Sequence, residues 1–139
     1  MPSEADWKRA LVRQLLLEGS FARRIEDKFA VGSLDMLVVT KRFTIYAEAK
    51  LLNNIAALPA SVAQRHQIIV FNNVGNPTSR ALVVGLKNGE MGFGLPGERW
   101  DEHLTMPWPL PPGVMLADVF DAAVVKIWEN YDDRIVARS

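Results

Sequence analysis

Gly32-Ser-Leu-Asp-Met-Leu-Val-Val-Thr40-Lys-Arg-Phe-Thr-Ile-Tyr-Ala-Glu-Ala-Lys50 holds the pattern that decides the architecture. Leu34 to Thr40 is rich in β-branched residues and reads as a central strand. From Phe43 to Lys50 the residues alternate: Phe43, Ile45, Ala47 and Ala49 take one face, Thr44, Tyr46, Glu48 and Lys50 the other. Only Lys41 and Arg42 separate the two runs, so an antiparallel hairpin is expected. Upstream, Trp7, Leu11 and Leu15 follow helical spacing between a Ser3 cap and a Gly19 stop, which predicts a helix over residues 4–18. Phe21 to Asp27 is short and compatible with a strand.

Downstream, a second helix is expected from about Pro59 to Asn72–Gly75, although Gln67 to Phe71 would also suit a strand. Ala81 to Leu86 reads as a strand, and Asn88-Gly89 turns the chain into a shorter one at Met91–Leu95. Residues 96–113 hold five of the eight prolines and read as loop. Phe120, Val124, Ile127, Trp128 and Tyr131 form the stripe of a last helix over Leu116–Tyr131, serving as core or as a dimer interface. The order α-β-β-β-α-β-β-loop-α gives an α/β class with a mixed sheet. Residues 1–95 would form the core, and residues 96–139 would complete the same single domain.

Sixteen basic and sixteen acidic residues among 139 leave no net charge, which argues against a polybasic nucleic-acid binder. The neutrality is a sum of unlike parts: twelve basic and eight acidic residues in 1–90, four and eight in 91–139. With no cysteine, disulfides and thiolate metal sites are ruled out. Apolar runs stay under ten residues, too short for a membrane span, and no signal-peptide pattern opens the chain, so a cytoplasmic protein is expected. The two histidines, His66 and His103, stand 37 residues apart, which argues against a histidine zinc site. Gly92, Gly94 and Gly97 precede no helix and no Lys-Ser/Thr, so no nucleotide or organic cofactor is expected.

The hairpin carries the chemistry. Pairing 34–40 with 43–50 sets the start of one strand beside the end of the other, so Asp35 and Glu48 become neighbours. Two adjacent carboxylates repel unless a cation or proton lies between them. A hard divalent ion with oxygen ligands is the natural solution, and Mg²⁺ takes one or two carboxylates, several waters and phosphate oxygens. Lys50 shares the Glu48 face and could orient a nucleophile or hold a phosphate.

Asp35, twelve residues, then Glu48-Ala49-Lys50 resembles the PD-(D/E)xK nuclease signature. Gly32-Ser33-Leu34-Asp35 is similar to that family's Gly-x-Pro-Asp, with Leu34 in place of the proline. The preceding Arg23-Arg24-Ile25-Glu26-Asp27 resembles small phage-type members of the VRR-NUC branch, and archaeal Holliday-junction resolvases share the helix-then-core layout. The resemblance covers roughly residues 4–86 and implies a restriction-endonuclease-like mixed β-sheet flanked by helices.

It implies a Mg²⁺-dependent DNA endonuclease, with Mn²⁺ as substitute, which works as a homodimer on DNA that is branched, nicked or plain duplex. Asp35, Glu48 and the backbone carbonyl of Ala49 would bind metal, with Glu26 or Glu4 in an outer shell. Lys50 would position water, and Gln64, fourteen residues on, would orient water or phosphate. Arg23, Arg24, Lys41, Arg42 and Arg65 would line the DNA. The alternatives are a catalytically silent nuclease-fold DNA-binding module, or an assembly subunit meeting a partner through residues 96–139.

Overall fold

The computed structural model describes residues 3–25, 34–52, 62–74, 78–95 and 105–129. Expectations for Glu26, Gly32-Ser33, Pro59, His103 and Tyr131 lie outside the described residues, as do the side chains of Gln64, Arg65 and His66.

Helix α1 spans Glu4–Leu17. Ser3 caps it by accepting a hydrogen bond from the Asp6 amide, 3.1 Å. It ends at Gly19, whose φ of +88° is left-handed. The Gly19 amide bonds to the Leu16 carbonyl and the Ser20 amide to the Leu15 carbonyl, a Schellman arrangement. The buried stripe of Trp7, Leu11 and Leu15 is the one its spacing predicts.

Strands β1 (Phe21–Arg24), β2 (Met36–Val39) and β3 (Thr44–Leu51) form an antiparallel meander. The β2–β3 turn is fixed by Thr40, whose hydroxyl accepts from the Arg42 and Phe43 amides at 3.2 and 3.0 Å. Helix α2 (Val62–Val74) then carries the chain over to β4 (Ser79–Lys87), which runs parallel to β3. Gln67 to Phe71 is therefore helical. Strand β4 is buried from Ala81 through Leu86, so its central residues are covered on both faces. Positive φ at Asn88 (+50°) and Gly89 (+76°) turns it into β5, Glu90–Gly94.

One part of the expected loop is sheet. Met106–Pro107 forms a two-residue edge strand, β6, against β5. An edge tolerates Pro107, because its missing N–H is not needed there. The Trp108 amide extends the pairing by donating to the Gly89 carbonyl, 2.8 Å. Helix α3 covers Leu116–Glu129. The six strands among the described residues lie in sequence order in one mixed sheet.

Register tells which helix covers which face. Tyr46 meets Phe71 of α2 edge-on at 4.9 Å, and Asn72 of α2 bonds Ala81, the neighbour of Tyr46 in β4. The opposite face presents Ala49, Val84 and Phe93, and Phe93 meets Phe120 of α3 at 5.0 Å. Helix α1 contacts α3 and so shares its side. Phe120, Val124 and Ile127 are buried in this cluster, so these members of the α3 stripe serve the chain's own core. Trp108 packs edge-on against Trp7 at 4.9 Å. Among the described residues no helix is long and apolar enough to cross a membrane.

Candidate active site

Met36 pairs with Ala47 at the last rung of the β2–β3 ladder. One residue beyond that rung on each side stand Asp35 and Glu48, whose carboxyl groups are close enough to interact. The backbone bond from the Ile25 amide to the Asp35 carbonyl, 2.7 Å, fixes that end of β2 against β1. The hairpin therefore brings the two carboxylates together at one end of the sheet. Asp35 Oδ2 also accepts from the Ala49 amide at 3.4 Å.

Glu48 is only 1% exposed. One oxygen, Oε1, lies 2.9 Å from Lys50 Nζ. The other, Oε2, is buried and has no hydrogen-bond partner among the described residues. Burial, and then the Asp35 carboxylate alongside, push the Glu48 pKa up to about 7 against the opposing pull of Lys50. For Lys50, burial works downward, but the hydrogen bond to Glu48 and the charges of Glu48, Glu4 and Asp35 outweigh it and raise the pKa. A buried carboxylate oxygen without a donor is costly. It is also the hard anionic ligand that a divalent cation satisfies.

The first two turns of α1 complete this end. Glu4 Oε1 accepts from the Leu51 amide at 3.2 Å, which places Glu4 beside the strand that carries Glu48 and Lys50. Lys8, absent from the sequence-based set, reaches Asp35 Oδ2 at 2.7 Å and Glu4 Oε2 at 3.7 Å. Its one local signal in the sequence is its place four residues after Glu4, on the same helix face, which does not tell that it meets Asp35.

The basic residues divide. Arg23 pairs with Leu37 and so faces the side of Tyr46 and Glu48, exposed. Arg24 pairs with Met36 and faces the opposite side, where it lines a shallow groove with Arg9 and Arg13 of α1. Lys41 and Arg42 sit at the hairpin turn, at the far end from Asp35 and Glu48. Arg42 lies over the Phe43 ring at 5.2 Å. Gln64 and Arg65 belong to the first turn of α2, whose side chains lie outside the described set.

Among the described residues, no three His, Cys, Asp or Glu side chains converge as a metal cage. What the site offers is a carboxylate pair with two lysines. Mg²⁺ commonly makes do with one or two carboxylates and fills its remaining positions with water.

A six-stranded mixed sheet with α1 and α3 on one face and α2 on the other is the restriction-endonuclease-like fold. Hjc of Archaeoglobus fulgidus, a Holliday junction resolvase from an archaeal hyperthermophile, shares it: TM-score 0.53, covering 84% of this chain and 97% of that one, at 16% sequence identity. No family model matches the chain, and no curated protein matches it.

Proposed function

We propose that this protein is a metal-dependent DNA endonuclease that hydrolyses phosphodiester bonds, with branched or junction DNA as its substrate class. The observation that carries the reading is the cross-strand Asp35–Glu48 pair with Lys50 beside it, at one end of a resolvase-like sheet. Asp35, Glu48 and the Ala49 carbonyl would hold Mg²⁺, or Mn²⁺ in its place; the unpartnered Glu48 Oε2 supports that fit. When bound, the ion supplies charge neutralisation at the phosphodiester and acidifies a water.

The protein's own groups do the rest. Glu48, buried beside Asp35, would serve as a ligand in its ionised form. Lys50, 2.9 Å from its Oε1, would orient the attacking water or hold a phosphate oxygen. Gln64 orients water or phosphate, and Glu4 or Glu26 supports the ligand shell. Arg23 follows the backbone on the Glu48 face, with Arg24, Lys41, Arg42 and Arg65 as further phosphate contacts. A homodimer would place two such sites on the two strands of one substrate.

Glu48→Ala should abolish Mg²⁺-dependent cleavage of plasmid, flap and four-way-junction substrates while the circular dichroism spectrum is retained. Full activity in that variant would sink the assignment. A second reading, a nuclease-fold DNA-binding module without catalysis, draws on the lysine partners that both carboxylates already have. Junction binding without cleavage in either Mg²⁺ or Mn²⁺ would favour it.

A further inference from the structure

Two lysines, not one, meet the carboxylate pair, and they come from different elements. Lys50 holds Glu48 from within β3, while Lys8 holds Asp35 from α1. Lys8 is not a loose surface partner: its side chain is 12% exposed, and its helix is anchored by buried Trp7 and Leu11 on either side.

The charges at this end can be counted. With their carboxyls ionised, as ligation of a cation requires, Glu4, Asp35 and Glu48 face Lys8 and Lys50, leaving one net negative charge. One divalent ion turns that into one net positive charge, which a single phosphodiester balances. A second divalent ion would leave the loaded site two charges in excess. Lys8 also lies where it would oppose the first ion, because its ammonium contacts Oδ2 of the Asp35 carboxylate, the group that would ligate metal. With a cation on that carboxylate, a largely buried ammonium would lose much of its counter-charge and be repelled. Its flexible stem and three donors let it turn to the nearest new anion, the phosphodiester brought to the metal.

We infer that Lys8 is a further positioning residue of this site: it holds Asp35 in the metal-free protein, and on metal binding it turns to the scissile phosphate, standing in for a second divalent ion. The inference rests on the nuclease reading above. It has two consequences that an ordinary structural lysine would not produce. Lys8 competes with the metal, so removing it should tighten metal binding. Lys8 assists the reaction, so removing it should slow turnover. A merely structural lysine would weaken both or change neither.

The test compares wild type, Lys8→Met, Lys8→Arg and Glu48→Ala by calorimetric titration with Ca²⁺ alone and by cleavage of a four-way junction at saturating Mg²⁺. Wild type should bind one Ca²⁺ per chain, and Glu48→Ala should lose it. Lys8→Met should bind Ca²⁺ about tenfold more tightly, yet cut with kcat lowered by roughly tenfold to a hundredfold. Lys8→Arg, which keeps the charge, should retain Ca²⁺ affinity close to wild type. Should Lys8→Met fail to melt cooperatively, Lys8→Gln carries the same two readouts. Unchanged or weaker Ca²⁺ binding or unchanged kcat in folded Lys8→Met or Lys8→Gln, or two Ca²⁺ per wild-type chain, overturns the inference while leaving the nuclease reading intact. A wild type that neither cleaves nor binds Ca²⁺ through Glu48 overturns both.

Discussion

Glu48 binds its proton more tightly in the folded chain than an exposed glutamate does. Its pKa stands at about 7, because burial and Asp35 disfavour the charge more than Lys50 favours it. In the unfolded chain the same group titrates near about 4.3. Between those values the folded state keeps a proton that the unfolded state has released, so stability falls as pH rises through the window. Urea titrations in EDTA should show the metal-free protein losing up to a few kcal/mol between roughly pH 5 and pH 7. Glu48→Gln, which cannot ionise, should flatten that slope, and a slope unchanged by the substitution would refute this origin. Of this site, Asp35, Glu48 and Lys50 were legible in the sequence because a strand's period of two and a short turn fix who faces whom. Lys8 was not, because which strand end α1 overlies is a property of tertiary packing that local periodicity does not carry.

Elements are joined here by a few polar contacts whose partners lie far apart in sequence. Asn72 of α2 bonds Ala81 of β4 twice, donating to its carbonyl at 3.0 Å and accepting from its amide at 2.8 Å, and it is buried. Asn72→Ala would strip both backbone groups of their partner in a dry interior. Chemical denaturation should then show a loss of about 2–3 kcal/mol with an unchanged m-value. Thr40 at the hairpin turn donates to Asp121 of α3 at 2.7 Å, so the same residue that closes the turn also fastens a helix. Local signals found the elements themselves: the Ser3 cap, the Gly19 stop, the alternation in β3 and the Asn88-Gly89 turn. They missed β6, because prolines signal loop and an edge strand of two residues has no periodicity to read. They also left the role of the α3 stripe open, because an apolar stripe looks alike whether it is covered by its own sheet or by another chain.

At the scale of the molecule, the uneven charge acquires a direction. The acidic C-terminal third supplies α3, which lies on the face of the sheet away from Glu48 and Tyr46. The N-terminal ninety residues hold four more basic than acidic side chains, and setting aside Glu26, Asp35 and Glu48 raises that excess to seven. Junction affinity, read by fluorescence anisotropy, should therefore fall with added NaCl, each neutralised phosphate adding about 0.9 to the log–log slope. It should rise with Ca²⁺, which offsets the acids without permitting cleavage. A flat salt response would argue against a phosphate-binding face.

Glu18, just past the end of α1, accepts from the Leu116 and Ala117 amides at 2.7 and 2.9 Å and so caps α3 from 98 and 99 positions away. That contact bears on time as well as on equilibrium. Bringing together residues so far apart in sequence costs loop-closure entropy that other contacts must first offset, so it is expected on the late, native side of the folding barrier. Glu18→Gln should leave the refolding limb of a chevron plot almost unmoved and speed the unfolding limb. This one carboxylate would then govern how long the folded molecule lasts between openings more than how quickly it assembles.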